Sequence, residues 1–306
     1  MTKTAFIAIV GCPNVGKSSI LNRLLGQKIA IVSEKPQTTR TKIMGVLTEG
    51  DTQLVFTDTP GFHRPKTKLG EKMVQAVSDS VAGVDACLFV VEPQGELRPA
   101  EIELIEKFKK LKMPVILAIN KVDTLPEKEV LMTRIAELSQ VYDFESIVPV
   151  SAMRGINMDA LLEELSKLAE QSVFFFPEDT LTDQPERVIA AEMIREKLLR
   201  NLDREIPHGV AVSIEKMRER DDSDIMDVEA VIYCEKESHK GIIIGKGGAM
   251  LKRVSTRARE DMEKFFMCKI NLRCWVKVTC RLVQIYINRQ GLRLSAIQEY
   301  HTGERK

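Results

Sequence analysis

The segment Gly11–Ser18 constrains this chain more than any other feature. It reads Gly-Cys-Pro-Asn-Val-Gly-Lys-Ser and follows the apolar run Ala5–Val10, so a predicted strand leads into the G-x-x-x-x-G-K-[ST] pattern of a phosphate-binding loop. Glycines permit dihedrals and close approaches that let consecutive amide groups turn inward around an anion. Apolar residues at helical spacing follow, so a helix N-terminus is expected to add its dipole. The segment therefore predicts a site for nucleotide phosphates.

Two side chains of this loop have predicted chemical roles. We expect Lys17 to bring its charge to the β and γ phosphates and Ser18 to offer its hydroxyl to Mg²⁺. The other candidates for nucleotide contact are Gly11, Cys12, Pro13, Asn14, Val15, Gly16 and Ser19. A chance glycine-rich turn is the alternative, which is disfavoured because strand, loop and apolar helix occur in the required order.

Length and composition indicate a two-domain soluble protein. The chain has 306 residues, of which 44% are hydrophobic and 29% charged. No apolar run approaches the roughly 18 residues of a membrane span, and the N-terminus has no charged region followed by a cleavable apolar stretch. We therefore expect a cytoplasmic protein.

The cysteines do not form a metal-binding pattern. All six are scattered without a C-x-x-C pair, and reduced thiols are expected. The alternative is a zinc site built from Cys268, Cys274 and Cys280, which recur at a six-residue interval without neighbouring histidines and so match metal-ligand spacing poorly.

Residues 1–172 alternate short apolar runs with longer amphipathic stretches. This alternation is typical of an α/β domain in which helices cover both faces of a mostly parallel sheet, with ligands beyond the carboxyl ends of the strands. The predicted strands are Ala5–Val10, Gln53–Thr57, Ala86–Val91, Val115–Asn120 and Ile147–Val150. An aromatic run and two prolines then predict an interdomain linker over 173–185. We expect its three phenylalanines to pack at the domain junction, with an exposed partner site as the alternative.

Residues 186–280 predict a second, smaller α+β domain, followed by a tail over 281–306. Helical spacing covers 186–203 and 249–265, whereas 210–214, 228–234 and 269–278 read as extended. Within 236–281, twelve Lys or Arg face four acids, while the first 235 residues have a net charge near −9. This polarity points to a polyanion-binding domain at the C-terminal end. The alternative is a solvated face, which is the commoner meaning of a basic surface alone.

A second motif closes the predicted strand Gln53–Thr57. From this position Asp58 can hold magnesium through a water molecule, while the amide of Gly61 reaches a γ-phosphate. The nucleotide-contact candidates here are Asp58, Thr59, Pro60 and Gly61. A plain turn is the alternative for this tetrapeptide alone, and the presence of Lys17 disfavours it.

The base-recognition candidates follow the fourth and fifth predicted strands. The Asp123 carboxylate can accept two hydrogen bonds from a base with adjacent N1–H and 2-amino donors, which is guanine and not adenine. After the fifth strand, a backbone amide within Ser151–Met153 is expected to contact the guanine oxygen. The candidates are Asn120, Lys121, Asp123, Ser151, Ala152 and Met153.

In this order and spacing the motifs over residues 5–153 resemble the translation-factor-related GTPases. The resemblance implies a threonine that binds magnesium when GTP is present; Thr39 is its best match, with Thr38 and Thr41 as alternatives. Phe62 stands where Ras-like GTPases have a glutamine that orients water, so slow intrinsic hydrolysis is expected. Asn14 resembles an asparagine with which some GTPases hold K⁺, so K⁺ joins Mg²⁺ as a candidate cofactor. The predicted catalytic residues are Lys17, Asn14, Thr39 and Gly61, and the predicted metal site comprises Ser18, Thr39 and, through water, Asp58.

The second domain contains a G-x-x-G loop, Gly245–Gly248, flanked by isoleucines and followed by a basic helix. This is the K-homology signature, whose loop clamps nucleic-acid backbone. Glycines let phosphates approach the main chain, cations add charge, and the isoleucines are expected to floor a groove for unstacked bases. The predicted RNA-binding residues are Ile243, Ile244, Gly245, Lys246, Gly247, Gly248, Lys252 and Arg253.

A GTPase domain followed by one type II K-homology domain, with Gln-Thr-Thr-Arg and Asp-Thr-Pro-Gly-Phe-His, resembles the Era family of bacterial GTPases over residues 5–278. The resemblance implies a monomeric, GTP-dependent factor in small ribosomal subunit assembly. It also implies binding to single-stranded RNA near the 3′ end of small-subunit rRNA and peripheral association with the inner face of the cell membrane. The tail after Val278 departs from the family pattern, as a lineage-specific end or a reading-frame shift near residue 279 would produce.

Two other functions fit parts of the sequence. A constitutive RNA-binding module could use the nucleotide site only to stabilise its fold, in which case RNA affinity would be the same with GTP and GDP. A metabolic kinase could share the phosphate loop, but it would have little use for Asp123, and no acceptor pocket is evident.

Overall fold

The chain was analysed as a computed structural model that describes residues 1–33, 35, 38–39, 42–59, 61, 83–202 and 209–279. It divides into two compact units, Met1–Pro185 and Glu186–Lys306. Thr41, Pro60, Phe62 and the tail 281–306, all named in the sequence predictions, lie outside the described residues.

The first unit is built on a seven-stranded sheet of order β2-β3-β1-β4-β5-β6, with β7 pairing to β1. The neighbours from β3 through β6 run parallel, whereas β2 is antiparallel to β3 and β7 is antiparallel to β1. The strands are β1 Lys3–Val10, β2 Ile43–Glu49, β3 Thr52–Asp58, β4 Ala86–Val91, β5 Val115–Ile119, β6 Ser146–Pro149 and β7 Glu170–Gln171. The five predicted strands are present, and the sheet is mostly parallel, as predicted.

Helices connect these strands in an order that fixes where a ligand can bind. They are α1 Lys17–Leu24, α2 Pro99–Leu111, α3 Lys128–Ser139 and α4 Met158–Lys167. Strand order changes direction at β1, since β3 lies on one side of it and β4 on the other. Right-handed crossovers then place α1 and α2 on opposite faces and open a crevice beyond the carboxyl end of β1. The strands are apolar because the sheet is covered: β4 and β5 are buried throughout.

Residues 173–185, predicted as a linker, are fastened to the first unit. The Gln53 side chain, fully buried on β3, accepts hydrogen bonds from the amides of Phe175 and Phe176 at 2.9 and 3.0 Å and donates to the Phe176 carbonyl at 2.9 Å. The Phe175 ring packs edge-on against Phe6. Further along, the amide of Val46 on β2 donates to Leu181 at 2.9 Å. The segment is therefore bound to the sheet rather than a free connector.

The second unit packs helices on one face of a three-stranded sheet. Its elements are α5 Glu186–Asn201, β8 Val210–Arg220, β9 Ser223–Cys234, α6 Glu237–Ile244, α7 Ala249–Phe266 and β10 Lys269–Val278. The sheet order is β10-β9-β8, with β9 parallel to β10 and antiparallel to β8. Alternate residues of β9, from Met226 to Cys234, join the helices in the core. This is the α+β K-homology arrangement, in which the loop after α6 precedes a long helix.

Strands β8 and β9 are longer than predicted because their hairpin extends past the core. Its outer part is charged and exposed, so apolar alternation could not mark it. Arg220 instead forms a two-point ion pair with Asp227 at 2.7 and 2.8 Å, and Asn271 on β10 donates to Asp227 at 2.7 Å. These contacts hold the pKa of the Asp227 carboxyl well below its usual range.

Within the part of the chain that the structure describes, no helix is both long and apolar enough to cross a bilayer. Over the same residues, no three His, Cys, Asp or Glu side chains are grouped to hold a metal ion. Cys12, Cys87, Cys234, Cys268 and Cys274 are free thiols, and Cys280 lies outside the described range.

Candidate functional site

The phosphate loop joins β1 to α1 at the crevice, and its two motif glycines are fixed by steric contacts. Gly11 has φ 148°, and a Cβ there would lie 2.3 Å from the Val90 carbonyl oxygen. Gly16 has φ 101°, and its Cβ would lie 2.1 Å from Asn120 Nδ2. Neither position admits a side chain without displacing its neighbour. The spacing of the two glycines therefore has a steric cause. Val90 leaves no room for a side chain at the first glycine, and Asn120 leaves none at the second.

Lys17 is buried at the start of α1 and turns back over the loop. Its Nζ donates hydrogen bonds to the carbonyls of Gly11 at 3.1 Å and Cys12 at 2.9 Å. Burial lowers the pKa of this amine, while Asp58 acts in the opposite direction. The two carbonyls are neutral, so they stabilise the buried cation only weakly. A phosphate oxygen that enters the loop would supply an anionic partner and a stronger, charge-assisted hydrogen bond.

Ser18, Thr39 and Asp58 converge on one point beside Lys17. Ser18 Oγ donates to Asp58 Oδ2 at 2.6 Å, and it lies 3.0 Å from Thr39 Oγ1. Three residues separated widely in the sequence thus bring oxygen atoms to the carboxyl ends of β1 and β3. Thr39, chosen in the sequence over Thr38, is the threonine at this point, since Thr38 bonds instead to the Ser33 and Lys35 carbonyls.

The Asp58 carboxyl has the character of a cation ligand. It is fully buried, and its Oδ1 has no hydrogen-bond partner within the described structure. Burial raises its pKa to about 6, against the opposing effects of Lys17 and the Ser18 hydroxyl. A buried carboxylate oxygen without a partner is costly, and oxygen ligands are those that Mg²⁺ prefers. The residues present therefore fit a magnesium ion at this position.

Gly61 lies directly over the phosphate loop. A Cβ at Gly61 would meet the Pro13 backbone, with Cα at 2.6 Å and N at 2.7 Å. The preceding strand end is anchored because Thr59 Oγ1 donates to the Ile9 carbonyl at 2.9 Å. Gly61 therefore lies beside the phosphate loop, and the contact of its amide with a γ-phosphate stays a prediction.

Asn120 links the phosphate loop to both predicted guanine loops. Its Nδ2 donates to the Val15 carbonyl at 2.9 Å, and its Oδ1 accepts from the Ala152 amide at 3.1 Å. The exposed Asp123 follows within the one-turn 3-10 helix Val122–Thr124. Ser151 is buried and Met153 is 83% exposed. One buried amide side chain therefore aligns three segments from separate parts of the chain.

Sequence reasoning missed an acidic residue that holds Lys121. Glu92, directly after β4, accepts a hydrogen bond from Lys121 Nζ at 2.6 Å and forms an ion pair with Arg98. Burial raises the pKa of the neighbouring Cys12 thiol to about 11, with Glu101 adding to the shift and Arg98 opposing it. Glu92 belongs to no recognised motif. Its position at the carboxyl end of a central strand was the only available signal.

The G-x-x-G loop of the second unit opens to solvent after α6. Gly245, with φ 74°, is packed against α7, since a Cβ there would lie 2.7 Å from Met250 Cβ. Gly247 and Gly248 also have positive φ, of 59° and 79°, but a Cβ at either would meet nothing within 4 Å. The first glycine therefore serves packing, and the other two leave the backbone accessible to a ligand.

The predicted cations surround this opening, but one predicted isoleucine does not. Lys246, Lys252 and Arg253 are all exposed. Ile243 is fully buried in the core of the second unit, so its assignment as an RNA contact is wrong. Its apolar side chain packs the sheet, whereas Ile244 is half-buried and can still reach the groove.

Comparison with known proteins finds a family match in each of the two units. Residues 6–121 match a family model described as 50S ribosome-binding GTPase, and residues 205–281 match a KH domain. The chain is 50% identical over 293 residues to GTPase Era of Clostridioides difficile, which covers 95% of this chain and 99% of that protein.

Two solved structures are similar to the chain over nearly its full length. Each has a TM-score of 0.88 at 36% identity and covers 96% of this chain and 100% of its own. One is a variant of Aquifex aeolicus Era bound to GDP and aluminium fluoride. The other is Era in complex with MgGDPNP and nucleotides 1506–1542 of 16S ribosomal RNA.

Proposed function

The chain belongs to the Era family of GTPases, and from this membership we propose that GTP in its first unit controls how its second unit holds small-subunit ribosomal RNA. The protein is a GTPase, converting GTP to GDP and phosphate, and it binds ribosomal RNA. The proposal concerns which residues perform these steps and how the two activities are coupled.

The observation that carries the proposal is the meeting of Ser18, Thr39 and Asp58 beside Lys17. Ser18 belongs to the first turn of α1, whereas Thr39 comes from the segment before β2. The Thr39 hydroxyl is held at this position by Ser18 Oγ at 3.0 Å. A γ-phosphate and magnesium would add to this hold, and loss of the phosphate would remove that added part.

In hydrolysis, the residues of this site act by charge and position. Lys17 stabilises negative charge on the β and γ phosphates, and the Gly61 amide donates to a γ-phosphate oxygen. Magnesium, when bound, neutralises charge that develops on the phosphate oxygens. Phe62 offers no polar group to orient water, so we expect slow turnover without a further activating component.

Guanine selectivity follows from Asp123 and from the alignment that Asn120 imposes. The carboxylate accepts paired donors from guanine, and the aligned Ala152 segment presents an amide to the guanine oxygen. Adenine would leave the carboxylate underpaired, at a cost of about 1–3 kcal/mol or more for a charged group. Asn120 thus determines whether the base and the phosphates can be held at the same time.

Potassium is the second proposed cofactor. Asn14, at the top of the phosphate loop, is exposed with φ 66°, and its side-chain oxygen can serve a monovalent cation at the transferred phosphate. We expect faster GTP hydrolysis in potassium than in sodium buffer at equal ionic strength. Equal rates in the two buffers would remove K⁺ from the mechanism.

We also propose that the protein acts in small-subunit assembly as a cytoplasmic monomer, with peripheral association to the inner face of the membrane. The basic excess of residues 236–281 supports binding to anionic surfaces, including rRNA. Sedimentation velocity tests the monomer. Co-flotation with anionic lipid vesicles, compared with neutral vesicles, tests the membrane association.

Calorimetry with matched variants tests the nucleotide site. The wild-type protein with Mg²⁺ should bind GTP and GDP but not ATP, and Lys17→Ala should abolish binding while the circular dichroism spectrum is unchanged. Asp123→Asn should weaken GTP binding and improve xanthosine triphosphate binding, because the asparagine amide can donate to the 2-oxo group. Preference of the wild-type protein for ATP would reject the assignment.

A further inference from the structure

The chain's single tryptophan lies on the open face of β10. Leu272, Cys274 and Val276 pack against the core of the second unit. Side chains alternate along a strand, so Arg273, Trp275 and Lys277 point to the opposite face. Both cations are exposed, and Trp275 is 45% exposed. We call these three residues the β10 stripe.

The surroundings of the β10 stripe favour an anionic, aromatic ligand. On β9, Val231 lies opposite Trp275 and the half-buried Tyr233 lies opposite Lys277. Glu229, opposite Arg273, is the acid in cross-strand register with the stripe. Within the described residues β10 pairs with β9 alone, so the strand is an edge. A large exposed indole between two cations is an uncommon surface for a protein to leave in water.

The length of the RNA provides a second argument. A G-x-x-G loop clamps about four nucleotides, whereas the related Era complex contains nucleotides 1506–1542 of 16S rRNA. Most of such a strand must lie outside the clamp. Proteins that follow single-stranded RNA do so with cations along the backbone and aromatic side chains on which bases stack.

The β10 stripe lies on the strand against which the clamp helix packs, but on the opposite face of the sheet. Helix α6, which ends at the G-x-x-G loop, packs against both β10 and β9. The carboxyl ends of these strands lie together, since the Thr279 amide donates to the Cys234 carbonyl at 2.8 Å, and α6 begins three residues after Cys234. An RNA strand leaving the clamp therefore has to pass around the β10 edge to reach Trp275, and this path stays within the second unit.

We propose that the β10 stripe is a second RNA contact, in which one nucleobase stacks on Trp275 while Arg273 and Lys277 bind neighbouring phosphates. The inference rests on the proposed RNA-binding function and extends it beyond the G-x-x-G clamp. In this contact Trp275 binds an unpaired base by stacking, without preference for the identity of the base.

Intrinsic fluorescence of the full chain tests this contact directly, because all tryptophan emission comes from Trp275. Acrylamide should quench the free protein, as a 45% exposed indole requires. A single-stranded RNA from the 3′ end of small-subunit rRNA, about three times the length of the clamp site, should quench or shift the emission on binding. A fragment limited to about four nucleotides should bind without changing it.

Variants separate stacking from charge. Trp275→Ala should weaken binding of the longer RNA by about 5- to 100-fold and leave the short fragment unaffected, whereas Trp275→Phe should retain most of the affinity. Arg273→Ala and Lys277→Ala should each reduce the slope of log affinity against log salt by about 0.7. Met267→Ala, at an 87% exposed position outside the stripe, is the matched control and should change nothing.

The outcomes distinguish this inference from the proposed function. Binding of both RNAs without any change in Trp275 emission would overturn the β10 stripe and leave the clamp intact. Binding of neither RNA would overturn the RNA-binding role itself. Quenching of Trp275 by anionic vesicles but not by RNA would identify the stripe as a membrane contact and overturn the proposal. An indole that acrylamide cannot reach would also overturn it.

Discussion

At Gly16 the phosphate loop has no room for a side chain, and the obstacle is Asn120. We predict that Gly16→Ala displaces the Asn120 amide, which would lie 2.1 Å from the new Cβ, and so separates the phosphate loop from the guanine loop. Loss of two buried hydrogen bonds should lower GDP affinity by about 30-fold or more, measured by calorimetry.

The control for this variant is Gly26→Ala. Gly26 also has a positive φ, of 65°, but its Cβ would meet nothing within 4 Å. Gly26→Ala therefore measures the effect of backbone strain alone. If both variants lost the same GDP affinity, the contact with Asn120 would not be what matters at Gly16.

The buried Asp58 predicts a pH dependence with a definite sign. Because burial raises its pKa from 3.8 to about 6, this carboxyl binds more protons in the folded protein than in the unfolded chain between these values. Without metal, the contribution of Asp58 to stability therefore falls as pH rises through this window. Asp58→Asn keeps a polar group beside Ser18 but removes the titration.

Thermal unfolding in a chelator at pH 4.5 and pH 7 measures this effect. The wild-type protein should lose stability relative to Asp58→Asn as pH rises. Magnesium with nucleotide should reverse the trend, because the cation stabilises the ionised carboxylate. A wild-type protein that gained stability relative to the variant from acid to neutral pH would contradict the assignment.

Residue motifs predicted the centre of the nucleotide site better than its surroundings. Lys17, Ser18 and Asp58 could be recognised because phosphate and magnesium impose fixed residue types at fixed spacing. Glu92 could not be recognised, because only the folded structure brings the end of β4 next to Lys121. Ile243 was misassigned because the sequence does not reveal which side of a short helix faces the core.

At the scale of elements, the open part of the G-x-x-G loop should tolerate a side chain but not a negative one. We predict that Gly247→Asp, at φ 59° with free space around its Cβ, folds normally, since Asp and Asn adopt this conformation readily. Its carboxylate should repel RNA phosphate and lower RNA affinity by at least about tenfold. GTP hydrolysis should be unchanged.

Gly247→Asn is the matched control for charge. It has the same shape and backbone preference, and filter binding at several salt concentrations should show a much smaller loss. Equal losses for the two variants would indicate that side-chain volume, rather than phosphate repulsion, is responsible. Gly245 is unsuited to this test because a Cβ there collides with Met250.

The segment 173–185 should owe its attachment to Gln53. We predict that Gln53→Leu lowers the free energy of unfolding of the first unit by about 2–3 kcal/mol, because the amides of Phe175 and Phe176 lose buried partners. Urea denaturation measures the change. Gln184→Leu is the control, at a half-buried position of the same segment whose side chain donates to the exposed Asp183. An unchanged midpoint would show that the aromatic contacts hold the segment without Gln53.

Strands could be predicted from sequence where burial produced a regular pattern of apolar residues. The parallel strands contain apolar runs, which in β4 and β5 are buried throughout, and could be located from sequence. Strand β2 was missed because it is an antiparallel edge strand whose burial decreases toward Glu49. The attachment of 173–185 was missed because prolines and aromatics mark the end of regular structure without indicating what the segment packs against.

At the scale of the whole molecule, the two units differ in charge and in ligand, so their coupling is a measurable free energy. Both units and their order could be predicted from sequence, because each contains a complete motif. The proposed coupling could not, since it is a difference in RNA affinity between two nucleotide states, which no motif encodes. Thermodynamic linkage requires that any effect of nucleotide on RNA affinity be returned as an equal effect of RNA on nucleotide affinity.

We predict that RNA affinity measured with a non-hydrolysable GTP analogue exceeds that measured with GDP by about 5- to 150-fold. The ratio of analogue to GDP affinity should then rise by the same factor when the 3′ rRNA fragment is present. Lys17→Ala, which binds neither nucleotide, should bind RNA identically in all conditions. Equal RNA affinity with the two nucleotides would instead indicate a constitutive RNA-binding module, in which Thr39 and Gly61 serve only hydrolysis.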